Sequence, residues 1–163
     1  MILSDTYFLK KALAQAQKAY AQEEVPIGAV LVLKNRIISE GFNLREAQSD
    51  PTAHAEIITL QKASQKLKSW RLEGTTLYVT CEPCLMCAGA LLQARIERLV
   101  YGCTDPKAGA VSSLYQTLQD SRLNHQIFVQ GGVLEEECRE LLQKFFKLRR
   151  GVRVAEGARL ESV

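Results

Sequence analysis

Two short segments of the chain hold residue types that do chemistry. One is His54-Ala55-Glu56 and the other is Cys81-Glu82-Pro83-Cys84-Leu85-Met86-Cys87. One imidazole and two thiolates form a three-ligand zinc set. Three protein ligands leave the fourth position of the ion open for water, which is the arrangement of a catalytic zinc and not of a closed structural one. Cys-x-x-Cys at a helix start turns both sulfurs toward one point, and the helix N-terminus favours thiolate over thiol. Glu56 lies two residues beyond His54, off the ligating face. From there its carboxylate can take and return the proton of a metal-activated water. The natural reaction of such a set is hydrolytic attack on an electron-poor carbon, followed by protonation of a leaving group.

Other readings of these residues exist. A lone histidine at a helix start also serves as a cap or a surface group, and a lone Cys-x-x-Cys also does redox work. A fourth protein ligand would turn the set into a structural zinc. The sulfur register has two forms, Cys84 with Cys87 or Cys81 with Cys84. Pro83 favours the first, because proline fixes a helix start just before Cys84. Cys81 then ends a strand as a small buried apolar residue. Cys103 and Cys138 read as packed thiols.

The elements that must position these residues follow from pattern. Ser4 or Asp5 caps a first helix, with Phe8, Leu13, Ala16 and Tyr20 at helical spacing. Residues 27–33 form a continuous apolar, β-branched run, a buried strand. Lys34-Asn35 is a tight turn into a second strand over 36–42. Asp50-Pro51-Thr52 leads into a second helix that starts near Pro51 and ends near Leu67. Strands follow at 75–80, 98–102 and 126–131. A third helix covers 84–95, a further helix is allowed between the last two strands, and a final helix runs from Glu135 to Arg150. A hairpin followed by βα units predicts a three-layer α/β/α sandwich, a five-stranded mixed sheet flanked by helices and largely parallel in its later half. Residues 1–150 read as a single domain and 151–163 as a frayed tail.

Composition narrows the class. The 163 residues are 47% hydrophobic and 24% charged, with a net charge of +3, which excludes disordered, collagen-like and low-complexity chains. Five cysteines cannot all pair within the chain, and three of them cluster in seven residues, which favours a metal over a disulfide framework. No signal peptide and no membrane-length apolar run is found, so the expected compartment is the cytoplasm. The basic bias is local. From Arg139 to Val163, seven Lys/Arg stand against three Glu. That is a charge excess able to contact phosphates, although a solvated helix face looks the same.

His-x-Glu together with Pro-Cys-x-x-Cys is the signature of zinc nucleobase deaminases. With Glu24-Val25-Pro26-Ile27-Gly28-Ala29-Val30, Asp50-Pro51-Thr52-Ala53-His54-Ala55-Glu56 and Glu82-Pro83-Cys84 through Cys87-Ala88-Gly89-Ala90, the chain resembles the bacterial tRNA-specific adenosine deaminases (TadA) of the cytidine deaminase superfamily. The likeness runs from the first helix to about Arg150. Its more selective features are Asn43, Asp105 through Ala110, Asn124-His125 and Phe145 through Arg150.

The resemblance implies a cytidine deaminase-like fold and hydrolytic conversion of adenosine to inosine at the wobble position of arginine tRNA. It implies one Zn2+ per subunit on His54, Cys84 and Cys87, zinc-bound hydroxide attacking C6, and Glu56 as the proton shuttle. Asn43 would hydrogen-bond the flipped base, and Val25, Pro26 and Ile27 would wall the pocket. RNA contacts would come from Lys107, Asn124, His125, Phe146, Arg149 and Arg150 and be drawn from both chains of a homodimer. Glu23 and Glu24 would make the pocket edge more acidic than a phosphate-binding rim. The zinc motifs alone also fit a free-base or nucleoside deaminase acting on cytosine, cytidine or guanine.

Overall fold

Helix α1, Asp5–Ala21, begins where Ser4 accepts the N–H of Tyr7 on its hydroxyl oxygen at 3.1 Å. Asp5 does other work: it pairs bidentately with Arg98 at 2.7 Å and accepts the Tyr78 hydroxyl at 2.9 Å, tying α1 to the sheet. This computed structural model describes the backbone of residues 1–161 and the side chains of residues 1–152. Strands β1 (Gly28–Leu33) and β2 (Arg36–Phe42) form the expected hairpin. Lys34 and Asn35 both take positive φ, 49° and 65°, the twist a two-residue hairpin loop requires. Gly28 starts β1 under the backbone of α1. A Cβ there would overlap the Ala12 carbonyl, so glycine sets how closely the helix approaches.

The remaining elements are α2 (Ala55–Leu67), β3 (Thr75–Cys81), α3 (Leu85–Ala94), β4 (Arg98–Cys103), β5 (Phe128–Gln130) and α4 (Glu135–Glu161). The sheet order is β2-β1-β3-β4-β5. β1 is antiparallel to both neighbours, while β3, β4 and β5 are mutually parallel. Alternate residues of the inner strands enter two cores. Ala29, Leu31, Leu77, Val79 and Leu99 pack under α2 and α3, and Val30, Val32, Tyr78 and Val100 pack under α1 and Cys138 of α4. This is the expected three-layer sandwich. It explains why residues 28–33 read as an unbroken apolar run: β1 is covered on both faces.

The last strand is shorter than the expected 126–131, and three larger differences from the sequence reading follow. The second helix begins at Ala55, not near Pro51. Asp50 Oδ1 accepts both the N–H and the hydroxyl of Thr52, at 2.8 and 2.7 Å, and this side-chain turn holds 50–53 out of the helix. Between β4 and β5 the described residues form only a 3-10 turn, Thr117–Gln119. The last helix does not stop at Arg150. It continues through 151–161 where a frayed tail was expected. Ala, Arg, Glu and Leu in that stretch favour helix, and each of its two glycines costs only about 1 kcal/mol. Residues 162–163 lie outside the described residues. No helix among the described residues is long and apolar enough to cross a membrane.

Candidate metal centre and substrate pocket

The carboxyl end of β3 feeds α3, and the carboxyl end of β2 leads through residues 43–54 into α2, so both helices start at one end of the sheet. His54 is the N-cap of α2 and Cys84 the N-cap of α3, both extended, with φ −77°, ψ 154° and φ −77°, ψ 176°. Serine, threonine, asparagine or aspartate usually fills that position and bonds back to the helix. Neither His54 nor Cys84 does so. Freed from capping, the two side chains turn toward each other, and Cys87 joins them from the first turn of α3.

His54 Nδ1 lies 3.7 Å from Cys84 Sγ and 3.5 Å from Cys87 Sγ. A tetrahedral zinc bonded at about 2.0 Å to nitrogen and 2.3 Å to sulfur separates those atoms by about 3.5 Å. The donor set therefore fits zinc in both chemistry and spacing. His54, Cys84 and Cys87 form the one group of three metal donors within 4.8 Å of one another among the described residues. Cys81 stays outside it. It is buried, as are Cys103 and Cys138, and all five cysteines are free thiols. Before any metal binds, the Cys87 thiol and then His54 hydrogen-bond to Cys84 and hold its pKa down at about 3, while the same bond pushes Cys87 up. His54 is raised in turn, chiefly by Cys84.

Glu56 is 4% exposed and lines the pocket beside His54. Burial, the largest influence, raises its carboxyl above the usual range, so it holds a proton more readily than a surface glutamate. The cavity encloses about 280 Å³. Val25, Ile27 and Asn43 line it as expected. Pro26 does not: it is buried between Val25 and Ile27, away from the wall. Asn43 is nearly buried and fixed in orientation. Its Nδ2 donates to the Val25 carbonyl at 3.2 Å and its Oδ1 accepts the Arg45 N–H at 3.1 Å. One amide N–H and one oxygen lone pair of Asn43 remain for a ligand.

The residues expected to touch RNA separate into two groups. Phe146 lines the pocket while Phe145 is buried in the core, so the adjacent rings divide the two roles. Lys107 is exposed on the loop whose Asp105 and Ala108 line the pocket, and its N–H donates to Asp105 at 3.0 Å. Arg149 stacks on Phe145 at 5.3 Å, and Arg150 is exposed one residue on. Asn124 and His125 lie elsewhere, at the amino ends of β3 and β4, with Arg71, Arg95 and Phe128 around a shallow groove. The length of β3 puts them about 20 Å from the donor set of the same chain. There Asn124 accepts from Arg95 at 3.0 Å, and His125 Nε2 bonds the Ile96 carbonyl oxygen at 2.8 Å.

Glu24, expected on the pocket rim, is buried. It accepts the N–H groups of Glu46 and Ala47 at 2.9 and 3.3 Å and braces the loop that carries Asn43. Sequence reasoning missed Arg45 and Cys81 as pocket-lining residues. Arg45 carried no signal beyond its place two residues after Asn43. Cys81 reads as a strand end or as a ligand in the alternative register, not as a pocket wall.

The comparisons agree with this geometry. The model of the MafB19-like deaminase family matches residues 3–150. The tRNA-specific adenosine deaminase of Bacillus subtilis is 50% identical over 143 residues, 88% of this chain and 89% of that one. The protein of the same name from Haemophilus influenzae is 49% identical over 160 residues, 98% and 92% of the two chains. A solved structure from studies of A-to-I editing by tRNA:A34 deaminases superimposes with a TM-score of 0.81 at 46% identity, covering 84% of this chain and 99% of that one. With the donor set, the buried acid and the pocket in place, this chain belongs to the tRNA-specific adenosine deaminase family.

Proposed function

We propose that this protein is a zinc-dependent hydrolase that converts adenosine to inosine at the wobble position of a tRNA, with arginine tRNA as the substrate the family resemblance implies. The observation that carries this reading is the convergence of His54, Cys84, Cys87 and a buried Glu56 in one partly apolar pocket. In the net reaction water adds at C6 of the base and ammonia leaves. Bound by His54, Cys84 and Cys87, zinc supplies the Lewis acidity that makes water nucleophilic near neutral pH. Glu56 takes one proton from the attacking water and gives it to the ring nitrogen beside C6, then takes the second from the hydroxyl added at C6 and gives it to the amino group, which leaves as ammonia. Its raised pKa suits an acid that must hold and return a proton.

The flipped base enters between Val25 and Ile27, and Asn43 meets it with its free amide N–H and oxygen lone pair. Phe146, at the edge of the same pocket and 43% exposed, stacks a neighbouring unpaired base, and Lys107, Arg149 and Arg150 contact phosphates. We infer a homodimer in the cytoplasm. The exposed Trp70, Leu85, Leu114 and Tyr115 give a second copy apolar surface to cover. Asn124 and His125 reach RNA only if it extends to the far end of the sheet or is bound by the partner protomer.

The test is to incubate zinc-loaded protein with an anticodon stem-loop of arginine tRNA carrying wobble adenosine, and to measure inosine by mass. The same loop with wobble cytidine, and free adenosine, cytosine and guanine, run alongside. Inosine in the first RNA alone is expected. Deamination of a free base without inosine in the RNA would replace this reading with that of a small-molecule deaminase.

A further inference from the structure

One buried acid plays no part in the reaction above. Glu82 immediately precedes Pro83-Cys84 and is 3% exposed, yet its carboxylate belongs to no metal-donor group. Every hydrogen bond its carboxylate accepts comes from one loop. Oε1 accepts the Asp105 N–H at 3.1 Å and the Ser113 hydroxyl. Oε2 accepts the N–H groups of Val111, Ser112 and Ser113 at 3.1, 2.9 and 2.9 Å. Burial alone would raise this carboxyl, but the Ser113 hydroxyl and the backbone donors outweigh it and hold the pKa below the ordinary range.

The same loop is tied to the start of α3 twice more. The Ala110 N–H donates to the Pro83 carbonyl at 2.9 Å, and Gly109 bridges to Cys84. Gly109 has no side chain because a Cβ there would run into the Glu82 carboxylate. Along this loop Asp105 and Ala108 line the substrate pocket, and Glu82 lies in the wall beside them. Glu82 thus joins a pocket wall to the turn that presents Cys84.

We propose that Glu82 is a positioning residue for base recognition: its carboxylate gathers the N–H groups of residues 105–113 and holds that loop as a wall of the pocket, at a fixed place relative to the metal donors. This inference rests on the reading that the pocket takes the flipped adenosine. Glutamine at position 82 presents an amide N–H where a donor already points, so one end of the loop must move.

The experiment uses zinc-loaded protein in a Glu56→Gln background, which holds RNA without turnover. It compares the affinity for an anticodon stem-loop bearing wobble adenosine with that for the same loop bearing an abasic wobble site. Adding Glu82→Gln should cut the preference for adenosine about tenfold, the loss expected for a charge-assisted hydrogen bond. Affinity for the abasic loop and zinc content should not change. An unchanged preference would overturn the proposal, as would an equal loss for both RNAs, because a purely structural residue weakens both. Should Glu82→Gln fail to fold with zinc, Ser113→Ala decides. It removes one of the five donors from an exposed residue and should lower the preference about threefold; no change overturns the proposal. If the protein with Glu82 intact shows no preference for adenosine over the abasic site, the pocket reading itself fails and takes the inference with it.

Discussion

At the carboxyl ends of β3 and β4 stand a histidine, an arginine and an exposed phenylalanine, and at their amino ends stand another histidine, two arginines and another exposed phenylalanine. The two sets behave differently because of what each polar group is bonded to. His125 is already bonded to a backbone carbonyl and Asn124 to Arg95. His54 has only two sulfurs as partners, and Asn43 keeps part of its amide for a ligand. The groove around His125 is the roomier, at about 580 Å³ against about 280 Å³ for the pocket, so size does not identify the site. Spare hydrogen-bonding capacity facing a partly apolar cavity does.

The largest expected contrast between the two ends comes from the metal ligands. Cys87→Ser or His54→Asn should abolish zinc retention and with it all turnover, measured by metal analysis and inosine yield. His54→Asn carries a second expectation. Asparagine is a strong N-cap, so the metal-free variant should gain up to about 1 kcal/mol in urea unfolding relative to the metal-free parent. No gain would mean that leaving α2 uncapped carries no stability cost.

Next is Phe146→Ala. Removing a base-stacking ring should weaken stem-loop binding about tenfold with zinc content unchanged. Arg149→Ala with Arg150→Ala should weaken binding by a smaller factor and flatten the plot of log affinity against log salt by up to about 1.4. An unchanged slope would return these arginines to the role of a solvated helix face. His125→Ala should change RNA affinity less than about twofold, since its ring nitrogen is committed to Ile96. A tenfold loss there would bring the far end of the sheet into RNA binding.

The far end has its own pH signature. The hydrogen bond from Arg98, and after it that from Tyr78, holds Asp5 below the ordinary aspartate value against the opposing effect of burial. A depressed carboxylate stabilises the fold above its unfolded pKa and loses that contribution as pH falls through its folded one. The stability gap between the parent and Asp5→Asn should therefore be flat near neutral pH and shrink below pH 3.8. A gap independent of pH would remove the ion pair as its cause.

Much of this was legible in the chain because its signals are local. The apolar run at 28–33, the hairpin turn at Lys34-Asn35, and the His-x-Glu and Pro-Cys-x-x-Cys segments each act over a few residues. What escaped depends on long-range partners. Glu24 reads as a rim charge until residues 46 and 47 are folded against it, and Glu82 reads as a spacer before Pro83 until a loop some 23 to 31 residues away closes on it. The start of α2 was misplaced for a local reason: Asp50 competes for the Thr52 amide, which overrides the preference of Pro51 for a helix start. That Asn124 and His125 are already bonded at the far end of the sheet was not legible, because asparagine and histidine look alike in sequence whether or not their hydrogen bonds are made.

Chemistry at Glu56 beside the three-donor set is tested most directly by measuring zinc content, stem-loop affinity and inosine formation together for the parent and Glu56→Ala. One zinc per chain and near-parental RNA affinity are expected in the variant, with turnover reduced by at least about a hundredfold. Turnover near the parental rate, with zinc retained, would contradict chemistry at Glu56.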